Sequence, residues 1–387
     1  MTPWFALGWQ IGTLTGWGQF GAHFARTLTQ AGYRVILPPG SLTTMDGVLP
    51  LDRSLLQSLQ GPLPGTGDGW LCMAIGNGME ERPTGLPDSI KVAGIIFCED
   101  TGAIDAAKLN AYDVIVAGSR WTQRVLEEKG VERVILAHQG YDHRVFFPPV
   151  TVSQPALDGV SVQNPGGLSK RITDRVTVFS GGKLEFRKAQ DTVVEAFKRF
   201  RQTPEGRDAV LVTAWDNQWP KTMDGIWLSG YVKGVPSVRN GKADVVSWLV
   251  ANGVPAGAVI DCGRMTPPEL AHVLRNCTVG IFPNRAESGT NLVLVEALAS
   301  GLPCVASAGH GHDDVTSGYS ASGLDVPTGC PLYRSTDGWV ESAPGHLAAM
   351  LDLEPQRIGT FDRNYWSWSV RGPAMAEAIL ASAAVPV

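Results

Sequence analysis

The fold class is indicated by the stretch Val279-Gly-Ile-Phe-Pro-Asn-Arg-Ala-Glu-Ser-Gly-Thr-Asn-Leu-Val-Leu-Val-Glu-Ala-Leu-Ala-Ser-Gly301. Its apolar start predicts a buried strand that ends at Phe282, a polar loop follows, and an apolar helix begins near Asn291. Gly301, just past that helix, suits a left-handed C-terminal cap. A strand, a loop and a helix in this order form the repeating unit of an α/β fold.

The same alternation recurs on both sides of this stretch. Short β-branched runs separated by amphipathic helical segments are typical of strands that are buried on both faces of parallel sheets. We therefore predict an α/β protein. The predicted strands are 34–37, 92–97, 113–117, 133–137, 176–179, 209–213, 258–261, 279–282 and 303–306.

The chain of 387 residues is long enough for two domains of roughly 150 to 200 residues each. The alternation stops between about Phe147 and Arg175, where the segments Pro148-Pro-Val-Thr-Val-Ser-Gln-Pro and Asn164-Pro-Gly-Gly favour a linker. We expect one domain at 1–165, a second at 166–365 and a last amphipathic helix within 366–387, interrupted early by Pro373.

Composition limits the classes of protein to consider. Hydrophobic residues make up 44%, charged residues 18%, and the mean hydropathy is zero, which is typical of a globular chain. With no basic signal-like start and no apolar run of roughly 20 residues, we expect a cytoplasmic location. Six scattered cysteines without a C-x-x-C pair predict reduced, buried thiols.

Charge is unevenly distributed. The net charge of −5 argues against a surface dominated by polyanion binding. The segment Lys170 to Lys242 nevertheless carries 14 Lys and Arg against 8 Asp and Glu, a local charge of +6. Solvated helix faces and a phosphate-binding surface explain this excess about equally well.

A first candidate motif is Gly16-Trp-Gly-Gln-Phe-Gly21, a G-x-G-x-x-G pattern before a helix expected over 22–31. A dinucleotide-binding protein would place an acidic residue after the next strand, but Leu37 runs into Pro-Pro-Gly. Glycine still lets a ligand approach the backbone, so Gly18 and Gln19 are candidate donor-binding residues. A purely structural turn is the alternative.

A second candidate is Phe179-Ser-Gly-Gly-Lys183-Leu-Glu-Phe-Arg-Lys188, between a strand and a helix. Two ammonium groups in such a loop can converge on one anion at the carboxyl edge of a sheet, and a diphosphate fits both. Basic residues near a helix start are otherwise ordinary solvated charges.

The third candidate lies in the opening stretch. Backbone amides at the helix start suit phosphate oxygens, and carboxylates suit sugar hydroxyls, so a nucleotide sugar matches both. Glu296 lies in an apolar helix with little room for a solvated face, and a buried carboxylate needs a partner. The candidate residues are Glu287, Gly289, Thr290, Asn291, Leu292 and Glu296.

These motifs, with Gly263-Arg-Met-Thr-Pro-Pro-Glu-Leu between them, occur in an order that resembles the C-terminal half of retaining GT-B glycosyltransferases of the family 4 type, with an E-x7-E motif. Gln139-Gly-Tyr-Asp-His-Arg-Val-Phe-Phe-Pro148 is similar to the end of that family's acceptor domain. The resemblance implies two Rossmann-like domains whose parallel sheets face across a cleft, with a C-terminal helix that crosses back to the first domain.

The resemblance also implies roles. Lys183 and Lys188 would hold the donor diphosphate, Glu296 the nucleotide ribose, and the amides of 289–292 the phosphates and the transferred sugar. Two positions depart from the family pattern. Glu287 precedes Glu296 by nine positions rather than eight, as in a variant with Glu-Gly-Gly-Thr-Asn-Leu-Val, which makes Glu287 the sugar-facing carboxylate. Glu99 stands where many relatives have an acceptor-side His. The candidate catalytic residues are thus Glu287, Glu99 and Lys188.

The expected activity is transfer of a hexose or pentose from a nucleoside diphosphate sugar to an acceptor hydroxyl, with retention and without a further cofactor. The acceptor remains open between a glycan, a lipid, a protein and a hydroxymethylated base in DNA. A GT-B epimerase, a dehydrogenase and a nonenzymatic nucleotide-sugar binding protein are the alternatives. Gly309-His-Gly-His-Asp-Asp314 crowds possible ligands into one loop, but adjacent residues rarely all face one ion, and we expect no metal.

Overall fold

The computed structural model describes residues 3–65, 68–149, 175–316, 343–345, 347–348 and 361–383. The expected domain boundary near 165 and Cys330 lie outside these residues. The chain divides into two compact units. Unit 1 comprises Met1–His143, Ser288–Leu292 and Asp362–Val387, and unit 2 comprises Arg144–Glu287 and Val293–Phe361.

Unit 1 is built on a six-stranded parallel sheet in the order β2-β1-β3-β4-β5-β6. Alternate residues of β1 belong to two different hydrophobic clusters, so both faces of this sheet are buried, as expected for a parallel sheet. The strands are β1 (Trp4–Leu7), β2 (Arg34–Ile36), β3 (Gly69–Ile75), β4 (Ile90–Ile96), β5 (Val114–Ala117) and β6 (Val134–Leu136). The helices are α1 (Gly16–Gln30), α2 (Pro50–Ser58), α3 (Ala106–Asn110) and α4 (Arg120–Glu128).

Unit 2 has a five-stranded parallel sheet in the order β11-β8-β7-β12-β13 and a small antiparallel hairpin of β9 and β10. Its strands are β7 (Thr177–Lys183), β8 (Val210–Asp216), β9 (Val238–Arg239), β10 (Lys242–Ala243), β11 (Val259–Asp261), β12 (Val279–Phe282) and β13 (Cys304–Ala306). Its helices are α5 (Gln190–Phe200), α6 (Val245–Ala251), α7 (Pro267–Asn276), α8 (Leu292–Ala299) and α9 (His312–Thr316), with a 3₁₀ turn at Phe186–Lys188.

The final helix, α10 (Trp368–Ser382), packs against α1 in unit 1. The Trp368 and Phe20 rings meet edge to face at 4.9 Å. A Cβ on Gly372 would lie 2.1 Å from Thr27 Oγ1, so this close approach requires glycine. The expected interruption at Pro373 is wrong, because the helix continues through it. In the part of the chain described, no helix is both long and apolar enough to cross a bilayer.

All nine predicted strands are present, with ends shifted by up to four residues. Four further strands were not predicted: β1 and β3 lack the β-branched runs by which the others were predicted, and β9 and β10 have two residues each. The expected start of α1 at Ala22 is also wrong. The Thr15 side chain accepts a hydrogen bond from Gly18 N and caps a helix that begins at Gly16, so the glycine motif lies inside the helix.

Candidate functional site

The two basic positions of the second motif lie at the carboxyl edge of the unit 2 sheet. Strand β7 ends at Lys183, and Lys188 ends the 3₁₀ turn that precedes α5. Ala189 is left-handed, with φ 58°, and this kink separates the turn from the helix. Strand β12 is the parallel neighbour of β7, so the loop that follows Phe282 leaves the sheet at the same edge.

This arrangement brings Glu287 onto Lys188. The Lys188 ammonium donates to Glu287 Oε2 at 2.5 Å, and Asn284 Nδ2 and Arg187 Nη1 donate to the same oxygen at 2.7 and 3.1 Å. Burial opposes the charge on Glu287, but Lys188 and Arg187 outweigh it and hold the pKa of this carboxyl well below its ordinary value. Burial lowers the pKa of Lys188, and Glu287 offsets part of that shift.

A second carboxylate extends the arrangement. Glu185 receives Arg187 Nη2 at 2.5 Å on one oxygen and Lys183 Nζ at 2.9 Å on the other. Burial opposes the charge on Glu185, but Arg187 and then Lys183 keep its pKa below the ordinary value. The Lys183 ammonium also lies 5.3 Å from the centre of the exposed Trp219 ring. We call the five residues the charged cluster: Lys183, Glu185, Arg187, Lys188 and Glu287.

Two members of the charged cluster, Glu185 and Arg187, were not predicted as site residues. Both lie within the quoted loop, where alternating charges give the only available signal. Such alternation usually marks a solvated face, yet both side chains are largely buried. The cluster carries three cationic and two anionic groups, and its excess positive charge suits an anion.

The segment Ser288–Leu292 belongs to unit 1. The Ser288 carbonyl accepts hydrogen bonds from Ser119 Oγ and Thr122 Oγ1, each at 2.6 Å. A Cβ on Gly289 would lie 2.7 Å from the Phe97 ring, so glycine is required by this contact. The Gln139 amide donates to Thr290 Oγ1 at 3.2 Å.

The helix predicted near Asn291 begins at Leu292 as α8, after a left-handed Asn291 with φ 55°. Its first amides have no intrahelical acceptor, which is the property that suits a helix start to an anion. Glu296 lies in the second turn and is buried, with 8% of its surface exposed.

The remaining candidates lie in unit 1. Glu99, half-buried beyond β4, accepts from Ser288 Oγ at 3.2 Å and from Asn77 Nδ2 at 3.4 Å. The Gln19 amide donates to the carbonyls of Thr13 and Gly47 at 3.2 and 2.6 Å. A Cβ on Gly18 would lie 2.1 Å from Thr13 Oγ1. The structure thus uses Gln19 and Gly18 to pack the turn before α1.

The histidine loop lies beside Glu287 rather than in a separate site. His310 Nε2 is 3.1 Å from the Asn284 carbonyl, and Gly311 N donates to the Glu287 carbonyl at 2.8 Å. Burial lowers the pKa of His310 to about 4 and that of His312 to about 3, so both imidazoles are neutral near pH 7. Within the described ranges, no three His, Cys, Asp or Glu residues are grouped to hold a metal ion.

Comparison with known proteins identifies the family of the region that carries this site. Residues 174–331 match the family described as Glycosyl transferases group 1. This region includes the whole charged cluster, α8 and the histidine loop. No curated protein sequence matches the chain.

Solved structures match over nearly the whole chain. They include HepE from Anabaena in complex with UDP and glucose (12% identity, 98% of this chain and 100% of that chain, TM-score 0.59). A second match is sucrose-phosphate synthase from Thermosynechococcus elongatus (15% identity, 99% of this chain and 100% of that chain, TM-score 0.58). A third is a UDP-forming α,α-trehalose-phosphate synthase from Burkholderia vietnamiensis (12% identity, 100% of this chain and 100% of that chain, TM-score 0.60).

At these identities the structural matches establish the fold, and they confirm the predicted GT-B architecture. The family match covers the region in which the sequence and the structure place the charged cluster. Residues 174–331 match the glycosyl transferases group 1 family within a chain of GT-B fold, and on this match the protein is a glycosyltransferase.

Proposed function

We propose that the protein transfers a hexose or pentose from a nucleoside diphosphate sugar to an acceptor hydroxyl, with retention at the anomeric carbon. The charged cluster is the observation that carries this proposal. Three cationic side chains converge at the carboxyl edge of a parallel sheet, where α/β proteins bind nucleotides. A family 4 type of mechanism, inferred from the motif order, supports retention.

In this proposal Lys183 and Lys188 bind the diphosphate. The bond between the anomeric carbon and the diphosphate oxygen breaks as the acceptor oxygen bonds to that carbon, and negative charge develops on the departing diphosphate, which takes up the proton of the acceptor hydroxyl. Fixed cations stabilise such developing charge most strongly where water is excluded. Only 11% of the Lys188 side chain is exposed, which favours such stabilisation.

Uridine diphosphate is the first nucleotide to test. The matched HepE structure contains UDP and glucose, and the matched trehalose-phosphate synthase is UDP-forming. Glu287 is proposed to face the transferred sugar, Glu296 to hold the ribose, and the amides of 289–292 to contact the phosphates and sugar. Glu99 is proposed to orient the acceptor, and Gly18 and Gln19 to approach the donor.

A panel of UDP, ADP and GDP sugars in a thermal-shift assay tests the donor site, because a ligand that binds only the folded protein raises Tm. We expect at least one nucleotide sugar to raise Tm, and no shift with any of them would contradict the proposal. Nucleoside diphosphate release with glycan, lipid, protein and hydroxymethylated DNA acceptors then tests transfer. An epimerase would convert the donor without an acceptor, and a binding protein would show no turnover.

A further inference from the structure

Arg285 is a charged side chain that the proposed function leaves unused. It lies in the loop after β12, two residues before Glu287, and only 1% of its surface is exposed. Its guanidinium forms a bidentate ion pair with Asp191 in the first turn of α5. The distances are 2.8 Å from Nη1 to Oδ1 and 2.7 Å from Nη2 to Oδ2. Both side chains are fully buried.

The same residue also holds the turn that carries Lys188. Arg285 Nη1 donates to the Phe186 carbonyl at 2.6 Å, and the backbone N of Arg285 donates to the Arg187 carbonyl at 2.8 Å. The guanidinium carbon lies 3.8 Å from the centre of the Phe186 ring. Arg285 therefore binds two successive carbonyls of the turn Phe186–Lys188 from within the loop that carries Glu287.

Such a buried ion pair is not needed for stability alone. Moving two charges out of water costs as much as their attraction returns, and well-packed apolar residues commonly stabilise a core equally well. A guanidinium also imposes geometry, because its N–H donors lie in one rigid plane and fix the positions of the acceptors that they bind. Here the acceptors belong to the start of α5 and to the turn before it.

We propose that Arg285 is a positioning residue of the donor site, which fixes the turn of Lys188 against the loop of Glu287. This inference rests on the proposed function. Arg285 does not contact the donor, because its guanidinium is enclosed by protein. It fixes the backbone of the turn Phe186–Lys188, so the Lys188 side chain starts from a fixed position before a diphosphate arrives. Preorganised groups lose less freedom on binding and so bind more tightly.

The experiment is a mutant cycle between Arg285 and Lys188, read by calorimetric titration with UDP. Replacing both partners, as Arg285→Met with Asp191→Leu, leaves no unpaired buried charge and should keep Tm near that of the unmodified protein. We expect this double variant to bind UDP about tenfold more weakly, and Lys188→Ala to lose at least as much. The triple variant should bind no more weakly than Lys188→Ala.

Additive losses, with the triple variant about tenfold below Lys188→Ala, are the expectation for a general structural role and would overturn the inference. So would unchanged UDP affinity in the double variant. Thr192→Val is a matched control, because it removes the 3.2 Å contact from Arg285 Nη2 to the Thr192 hydroxyl and keeps the contacts of Arg285 with Asp191 and the Phe186 carbonyl. It should bind UDP within about twofold of the unmodified protein.

If the double variant does not fold, Arg285→Lys enters the same cycle, since it keeps a charge opposite Asp191 and loses the fork. Failure of the proposed function has a different signature. It would appear as no binding of UDP, ADP or GDP by the unmodified protein, or as unchanged binding by Lys188→Ala. In either case the mutant cycle cannot measure a coupling between Arg285 and Lys188 in UDP binding. The positioning role is then rejected together with the proposed function.

Discussion

The ammonium of Lys188 and the carboxylate of Glu287 lie 2.5 Å apart although 99 positions separate them in the chain. Adjacent parallel strands β7 and β12 deliver both to the same sheet edge. The pair is buried and joined by Asn284 and Arg187. The two residues have different proposed roles, since Lys188 binds the diphosphate and Glu287 faces the transferred sugar. Substituting each residue separately tests these roles.

Lys188→Gln should weaken UDP binding by about tenfold or more, because it removes a charge-assisted hydrogen bond to the diphosphate, worth about 1.5–3 kcal/mol. The measurement is the Kd for UDP by calorimetry. Lys198→Gln is the matched control, since Lys198 pairs with Glu195 on the surface of α5. Equal affinities for UDP in the two variants would remove Lys188 from the donor site.

Glu287→Gln should separate binding from transfer. The glutamine keeps the shape of the side chain but removes the negative charge that holds Lys188, so the affinity for UDP should be unchanged or several-fold higher. Sugar transfer should fall by about tenfold or more if the carboxylate acts on the transferred sugar. Steady-state kinetics with donor and acceptor provide the test, and an unchanged kcat would leave Glu287 with a structural role only.

The sequence was sufficient to predict the α/β class, all nine of the named strands, and the two lysines as a pair at a sheet edge. Those predictions depend on patterns among residues that are close together in the chain, and such patterns do not require knowledge of the tertiary fold. Glu185 and Arg187 were missed because a charged residue in a loop is predicted to be exposed to solvent unless the fold is known to bury it. The Arg285 and Asp191 pair was missed for the same reason, since its members are 94 positions apart.

The glycine motif shows a property that spacing does not settle. Gly16-Trp-Gly-Gln-Phe-Gly21 fits a ligand-binding loop by spacing, yet Thr15 caps the helix in front of it. Thr13 occupies the space into which a Cβ of Gly18 would point. A close approach of backbone to backbone and a close approach of backbone to ligand require the same residue, and spacing alone does not distinguish them.

Glu185→Gln should strengthen UDP binding several-fold. Glu185 holds Lys183 at 2.9 Å, so a diphosphate must displace that contact to recruit the ammonium. Removing the carboxylate charge also raises the positive potential of the charged cluster. Titration with UDP at two salt concentrations measures the effect, which should shrink at high salt. Glu195→Gln on the surface of α5 is the control, and weaker binding by Glu185→Gln would show that Glu185 supports the site rather than competing for Lys183.

Asp261 gives a prediction about stability and pH. This carboxyl, at the end of β11, accepts from Thr213 Oγ1 at 2.7 Å, and burial raises its pKa from 3.8 to about 6. The folded protein therefore binds a proton at this residue between pH 4 and 6 that the unfolded chain does not, so its contribution to stability improves as pH falls through 6. Above pH 6 the buried charge costs up to about 3 kcal/mol, at about 1.4 kcal/mol per pKa unit.

Asp261→Asn keeps an oxygen to accept the Thr213 hydrogen bond and removes the charge. We expect it to raise the free energy of unfolding by about 1–3 kcal/mol at pH 8 and to lose about half of that gain by pH 5. His310 and His312 act in the opposite direction, because their lowered pKa values make the folded protein lose stability as pH falls below 6.5. Both proteins share that loss, so it cancels in the difference between variant and unmodified protein. Urea unfolding at pH 8 and pH 5 measures the change in the free energy of unfolding that Asp261→Asn causes. Asp208→Asn, at an exposed position, is the control. A gain that is equal at the two pH values would show that the charge of Asp261 is not its cause.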